Sequence, residues 1–225
     1  MRRNLLLITL TCFGLACIML IAWRAYDIAH DGIQRATFER LTALRESKRR
    51  EIINYIDGCF DQTRLLAAAP AVGDAMTEFA ETFDSLTRSP DDATDVQRFY
   101  REQYAPRAVN GDIGAATMEL VPFDRTALAA QAIFLARNPH EVGQKDKLVD
   151  PGSASDYAAV HGRRHGIFTN IIDTFGFYDL FLIDLDGRIV YSVFKEIDFG
   201  TSLEDGPHSD SNLAAAFRRA RSSDS

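Results

Sequence analysis

His161 and His165 stand four residues apart in the run DYAAVHGRRHGIF, with Arg163 and Arg164 between them. On a helix that spacing puts both imidazoles on one face, as in a metal-binding pair. No glutamate lies between them, no clear third ligand is nearby, and the two arginines repel a cation, so no metal is expected. His161, Arg164 and His165 suit an anion or a carboxylate better, because a guanidinium fork matches a planar acid. The plainer account, a solvated basic face, stands ahead of either. Asp184 and Asp186, with Asp179 nearby, are of the type that binds Mg²⁺ for phosphoryl transfer, but turns select aspartate for backbone reasons. Lys195-Glu196 reads as a surface ion pair rather than a catalytic couple. The phosphate-cradling patterns GxGxxG and GxxxxGK[ST] are absent, as are GxSxG and HExxH. No catalytic group and no cofactor is expected.

These residues depend on a few elements for their placement. The stretch Phe175–Thr201 is the centre of the chain. Tyr178 to Asp184 is rich in aromatic and β-branched residues, Asp186-Gly187 supplies a tight turn, and Ile189 to Phe194 returns as a second strand. That is a hairpin signal. Such a hairpin either floors a ligand pocket or, the plainer reading, forms the core of a small sheet. Asp156 to Thr174, capped by Ser155 or Asp156, reads as the helix that carries the histidines.

Upstream, Leu5 to Trp23 holds no charged residue, and its length of roughly 19–20 residues spans a bilayer as a helix. Arg24 follows it, and the two arginines that precede it, Arg2 and Arg3, predict a cytoplasmic N-terminus and an extracytoplasmic remainder at the plasma membrane. A cleaved signal peptide is the rival, but the apolar run continues through Ile18–Ile21 beyond the small residues at Gly14 and Ala16. From Ala25 to about Ala69 there is no proline, and Leu41, Leu44, Ile52, Ile53, Ile56 and Phe60 recur at helical spacing. A helix of about 40 residues there reaches roughly 60 Å. Its partial apolar stripe predicts a stalk that pairs with a second copy.

After a break at Pro70 and Gly73, Asp74–Leu86 reads as an amphipathic helix with Ala75, Phe79, Phe83 and Leu86 on one face. A short helix from Asp91 or Asp92 to Tyr104 follows, stopped by Pro106. Asn110-Gly111 is a turn, and Arg125–Ala136 is helical. A polar loop runs from Asn138 to about Ser155. At the far end Ser211 or Asn212 caps Leu213–Arg221, and 222–225 reads as frayed.

The chain has 225 residues and a net charge of −7. Residues 1–24 carry three arginines and no acid, which leaves 22 basic and 32 acidic side chains, or −10, on the rest. That excludes the basic footprint of a nucleic-acid binder. Cys12 and Cys17 lie in the apolar run and only Cys59 lies outside it, so no disulfide forms within the rest; Cys59 is expected to be a buried thiol. A two-stranded hairpin is marginal alone. Either helices cover it, or the chain is a truncated domain, which is the expectation here.

The runs NPHEVGQKDKL, DYAAVHGRRHGIF, FGFYDLFLIDLDGRIVYSVFKEIDFGTSL and DGPHSDSNLAAAFRRAR, with YIDGCFDQTRLLAAAPAVGDAMTEF and FYREQYAPR upstream, resemble the extracytoplasmic sensory region of bacterial transmembrane signal transducers. Relatives of that kind precede HAMP-linked adenylate/guanylate cyclases, methyl-accepting chemotaxis receptors and sensor histidine kinases. Gly166 departs from the proline that usually follows the second histidine. The resemblance implies an α+β fold: a transmembrane helix (1–24), a long helix and helical module (25–136), and the start of a PAS-like, Cache-type αβ module (137–221) with its hairpin at 177–199. It implies a sensor for an unknown small-molecule or protein signal, with no enzyme activity of its own, and hands over no ligand residues. Tyr157, His161, Arg164, His165 and Tyr178 are the residues expected at a ligand. A membrane-tethered hydrolase using the histidine pair and a passive partner-binding module are the alternatives.

Overall fold

The structure, a computed structural model, describes residues 2–107, 121–122 and 124–223. The Asn110-Gly111 turn and the last two residues fall outside them. The chain divides into two compact units, Met1–Leu66 and Ala67–Ser225.

The first unit is one helix. α1 runs from Arg2 to Ala67 without interruption, joining the apolar run and the stalk. With no proline, nothing removes a backbone donor along its length. Local contacts decorate it: Lys48 pairs with Glu51 and Arg64 with Asp61, each three residues away. It is the helix among the described residues that is long and apolar enough to cross a membrane. Cys59, expected to be buried, is only half-buried on this helix.

In the second unit α2 spans Pro70–Phe83, four residues earlier than expected. Pro70 starts the helix instead of marking a gap, because its fixed φ and missing N–H suit the first helical position. Gly73 lies inside it. Ala75, Phe79 and Phe83 are buried as the spacing predicts, and Leu86 is buried just beyond the helix end. α3 (Asp92–Phe99) runs on into a π-helical turn at Tyr100–Tyr104, then a 3₁₀ turn at Ala105–Arg107 that carries the path through Pro106. α4 (Arg125–Gln131) also widens into a π turn at Ala132–Ala136, and the Asp124 carboxylate caps its start by accepting from the Ala127 N–H. The polar loop contains a 3₁₀ turn at Lys145–Lys147. α5 (Asp156–Phe175) begins at a Ser155 cap and ends at Gly176 in a left-handed conformation. The final helix, α6 (Asn212–Ser223), is held at its start by Ser211, whose hydroxyl accepts from Ala214 N–H; it extends through Ser222 and Ser223, which the sequence left as frayed.

The hairpin is β1 (Phe181–Ile183) and β2 (Ile189–Ser192), antiparallel, with Leu182 opposite Tyr191 and an irregularity between Leu182 and Ile183. Gly187 takes φ +86° in the turn. Asp184 organises that turn. Its Oδ1 accepts from the N–H groups of Asp186 and Arg188, and its Oδ2 from the Arg188 guanidinium. The sheet has two strands among the described residues. Helix cover makes it viable: α2 and α5 pack over β2, and Phe79, Tyr157, Phe168, Val190 and Tyr191 share one core. The segment after β2 adds further bonds, Ile189 N–H to Thr201 carbonyl and Leu203 N–H to Gly187 carbonyl. Phe181 and Ile183, on the other face of β1, meet Leu213 and Phe217 of α6. The fold is therefore α+β, mostly helical with a small sheet, and the hairpin is core.

Candidate functional site

Helix α5 presents Tyr157, His161, His165, Phe168 and Ile172 along one stripe, and all five are buried. The histidines are therefore not a solvated basic face. The face exposed to solvent carries Arg163, while Arg164 lies at its border.

The two imidazoles stack, with ring centroids 4.5 Å apart and planes within 21°. His161 Nδ1 lies 2.9 Å from the Val149 carbonyl. A carbonyl can only accept, so Nδ1 carries the proton and Nε2 is left as a lone pair, which has no hydrogen-bond partner among the described residues. His165 Nε2 lies 2.5 Å from the Asp146 carbonyl and Nδ1 lies 2.7 Å from the Tyr191 hydroxyl, so Nε2–H donates and Nδ1 accepts. Together they tie the polar loop, through Asp146 and Val149, to the helix and the sheet. Tyr157 joins them by donating its hydroxyl proton to the Val190 carbonyl, at 2.6 Å.

Lys195 completes the cluster. The surface ion pair expected of it does not form: Lys195 is buried, and Glu196 instead accepts from the Tyr178 hydroxyl at 2.6 Å. Its backbone takes φ +56°, the one positive φ of a non-glycine among the described residues, which turns the side chain back into the core. The ammonium donates to the carbonyls of Ser192 and Val193 and sits 4.4 Å from the centre of the Tyr191 ring, with Phe199 and Phe134 flanking. Asp179 fixes this turn by accepting from the N–H groups of Leu180, Val193 and Phe194 and from the Ser192 hydroxyl. Asp179 and Asp184 thus serve the backbone. Among the described residues no three His, Cys, Asp or Glu side chains form a group that could hold a metal.

Enclosure sets the proton affinities. Burial pulls His161 well below its ordinary value, helped by the charges of Lys195 and His165. It brings His165 down to about 4, helped by Lys195, and Lys195 down to about 7, against the pull of Asp179 and Asp146.

The other two sequence-chosen residues lie elsewhere. Arg164 grips Glu78 of α2 with two bonds, Nη2 at 2.5 Å and Nε at 3.2 Å. Tyr178 is exposed and stacks near Phe194. So Tyr157, His161 and His165 come together, and Arg164 and Tyr178 do not join them. Sequence reasoning missed Lys195. The stripe that His161 and His165 share with Tyr157, Phe168 and Ile172 was the available signal that the histidines are interior.

Two open cavities flank the loop that the histidines hold. One, of about 590 Å³, is lined by Ile133, Arg137, Leu148, Asp150 and Ser153 among others. Its Arg137 is paired with Asp92 and Asp95 of α3. The other, of about 510 Å³, lies along the start of α5, between Val149, Ser155, Ala159, Gly162 and Arg163. Asp150 and Ser153 line both.

No family model, curated protein or solved structure matches this chain.

Proposed function

We propose that the chain is the membrane-anchored, extracytoplasmic sensory region of a bacterial signal transducer, with its N-terminus in the cytoplasm and α1 pairing with a second copy. The observation that carries this reading is the unbroken course of α1 from an apolar segment of membrane-spanning length to Ala67, the first residue of the second unit. A helix of that kind conveys a bias along its axis. Among the described residues, those beside the 148–155 loop are open to a ligand, as are exposed Tyr178 and Arg164, whose fork suits an acid able to displace Glu78. A ligand that prefers one position of that loop shifts the equilibrium by its differential affinity.

The test uses the full chain in lipid nanodiscs, unfolded thermally against small acids, amines and nucleotides. Binding to the native state alone raises the midpoint by mass action. A shift with one compound class, reduced by Arg164→Met, is expected. A cooperative transition that no compound shifts would replace ligand sensing with partner binding. Labelling of half-buried Cys59 by a membrane-impermeant maleimide on intact cells checks the orientation; protection of Cys59 would reverse it.

A further inference from the structure

Three groups able to carry positive charge meet in the interior of the second unit, and no carboxylate among the described residues makes an ion pair with any of them. His161 and His165 stack on α5, and the Lys195 ammonium lies over the Tyr191 ring between Phe134 and Phe199. The surrounding elements supply few charges. The polar loop contributes Asp146, which meets His165 through its carbonyl. The segment before β1 contributes Asp179, whose carboxylate is committed to backbone N–H groups and the Ser192 hydroxyl. Strand β2 contributes Tyr191, already bound to His165. The segment after β2 contributes Glu196, which is exposed and bound to Tyr178, and Asp198, which is half-buried with an unpartnered Oδ1. Helix α2 and the π turn after α4 contribute the apolar rings of Phe79 and Phe134. Among the described residues, His161 Nε2 has no hydrogen-bond partner.

We propose that this cluster is a proton-operated clasp: uncharged, it holds the Asp146–Val149 loop against α5 and β2, and protonated, it releases that loop. A cation enclosed without a counter-ion is strongly disfavoured, and admitting water is the relief. The loop is the part that can yield, because its ties to α5 are two hydrogen bonds from the imidazoles themselves.

The proton affinities agree in direction. Lys195 is brought down to about 7, so between there and the ordinary lysine range the unfolded chain binds the extra proton. The folded state is therefore favoured as pH rises across that interval and loses the advantage as pH falls to about 7. His165, brought down to about 4, repeats the effect between its ordinary value and 4. Asp198, pushed up to about 7 by burial and by Glu196 and Asp179, acts in the opposite sense in that lower interval, while Lys145, in the loop itself and brought down to about 8 by burial and by Arg107, acts in the same sense as Lys195 in the upper one, so Lys195→Met is what separates the two lysines there. The inference concerns the αβ unit and stands whether or not the chain is a sensor.

The chain has four lysines, Lys48, Lys145, Lys147 and Lys195, so lysine-selective ¹³C NMR of the full chain in nanodiscs resolves each amine during a pH titration. Lys195 is expected to titrate near neutrality and lowest of the four. In parallel, hydrogen exchange is followed at the Lys147 and Leu148 amides, which bond to the Gln144 and Lys145 carbonyls, at pH 8.5 and 6.5 with correction for intrinsic rates. Protection is expected to fall several-fold at the lower pH in the native chain, and to stay constant in Lys195→Met. An ordinary lysine titration for Lys195, equal protection at both pH values, or the same loss in Lys195→Met would each overturn the clasp. If Lys195→Met does not fold, the Lys195 signal is assigned by elimination with Lys48→Arg, Lys145→Arg and Lys147→Arg, and the native titration and exchange decide.

Discussion

The two units of this chain solve opposite problems. In α1, large apolar side chains point outward along the whole described length: Leu10, Trp23, Ile33, Leu41, Ile52 and Phe60 are all exposed. Its hydrogen bonds and ion pairs connect residues three or four apart, such as Lys48 with Glu51 and Thr63 with the Cys59 carbonyl. In the second unit, Phe79, Tyr157, Phe134 and Tyr191 are fully enclosed, and the bonds that matter join distant residues, such as Gln131 to the carbonyls of Ile197 and Phe199. A helix can be specified by local rules alone, but its apolar surface then waits for a bilayer or a partner to cover it. A core specifies itself only through contacts that the linear order hides.

Substitutions can test how sharp that contrast is. The largest effect is expected from Phe79→Ala, which empties the space between Tyr157 and Tyr191. It should destabilise the second unit by about 3–5 kcal/mol. On a lone α1, where Leu41 is exposed, Leu41→Ala should change urea unfolding by no more than about 0.5 kcal/mol, and the excess over that figure measures the pairing of α1 with its second copy. A large loss from Leu41→Ala would show that α1 is buried against a second chain in solution.

Next come two glycines with opposite signs. Gly187 holds φ +86°, and a Cβ there would stand 3.0 Å from the Glu204 side chain and 3.2 Å from the Phe217 ring. Gly187→Ala should cost about 1–3 kcal/mol by calorimetry. Gly58 sits in α1 with nothing near its missing Cβ, and Gly58→Ala should stabilise that helix by about 0.5–1 kcal/mol, read as added helicity on heating. Two changes of the same sign would mean that the units respond as one.

The last pair contrasts a cap with a bond inside a helix. Ser155 accepts from the Ala158 N–H at 3.2 Å, so Ser155→Ala should cost about 1 kcal/mol in the second unit's unfolding. Thr63→Ala, which removes only a bond to the helix's own backbone, should cost nothing measurable.

Much of the architecture was legible. The apolar run and the proline-free stretch after it gave α1. The spacing of Ala75, Phe79 and Phe83 gave the buried face of α2, and Asp186-Gly187 gave the hairpin. Each cap was narrowed to two neighbours, Ser155 or Asp156 and Ser211 or Asn212, and the structure uses the serine in both. These features are local: each depends on a residue's own conformational preference or on neighbours within a turn or two. The π turns at Tyr100–Tyr104 and Ala132–Ala136 were not legible, because no residue type marks an extra residue per turn.

The interior chemistry was half legible. The histidine spacing was plain, but its meaning turned on which side of α5 faces the core. Tyr157, Phe168 and Ile172 answer that, and the arginines beside the pair drew the reading toward solvent. Lys195 was beyond reach. Nothing in Phe194-Lys195-Glu196 says that the backbone turns left-handed there and returns the amine to the Tyr191 ring, while Glu196 stays outside with Tyr178. By itself the sequence determined the helices, the turn and their caps, since hydrogen-bonding range and backbone sterics act between near neighbours. Only the tertiary structure decided which polar groups lost water, because that depends on packing between α2, α5 and β2, segments up to about a hundred residues apart.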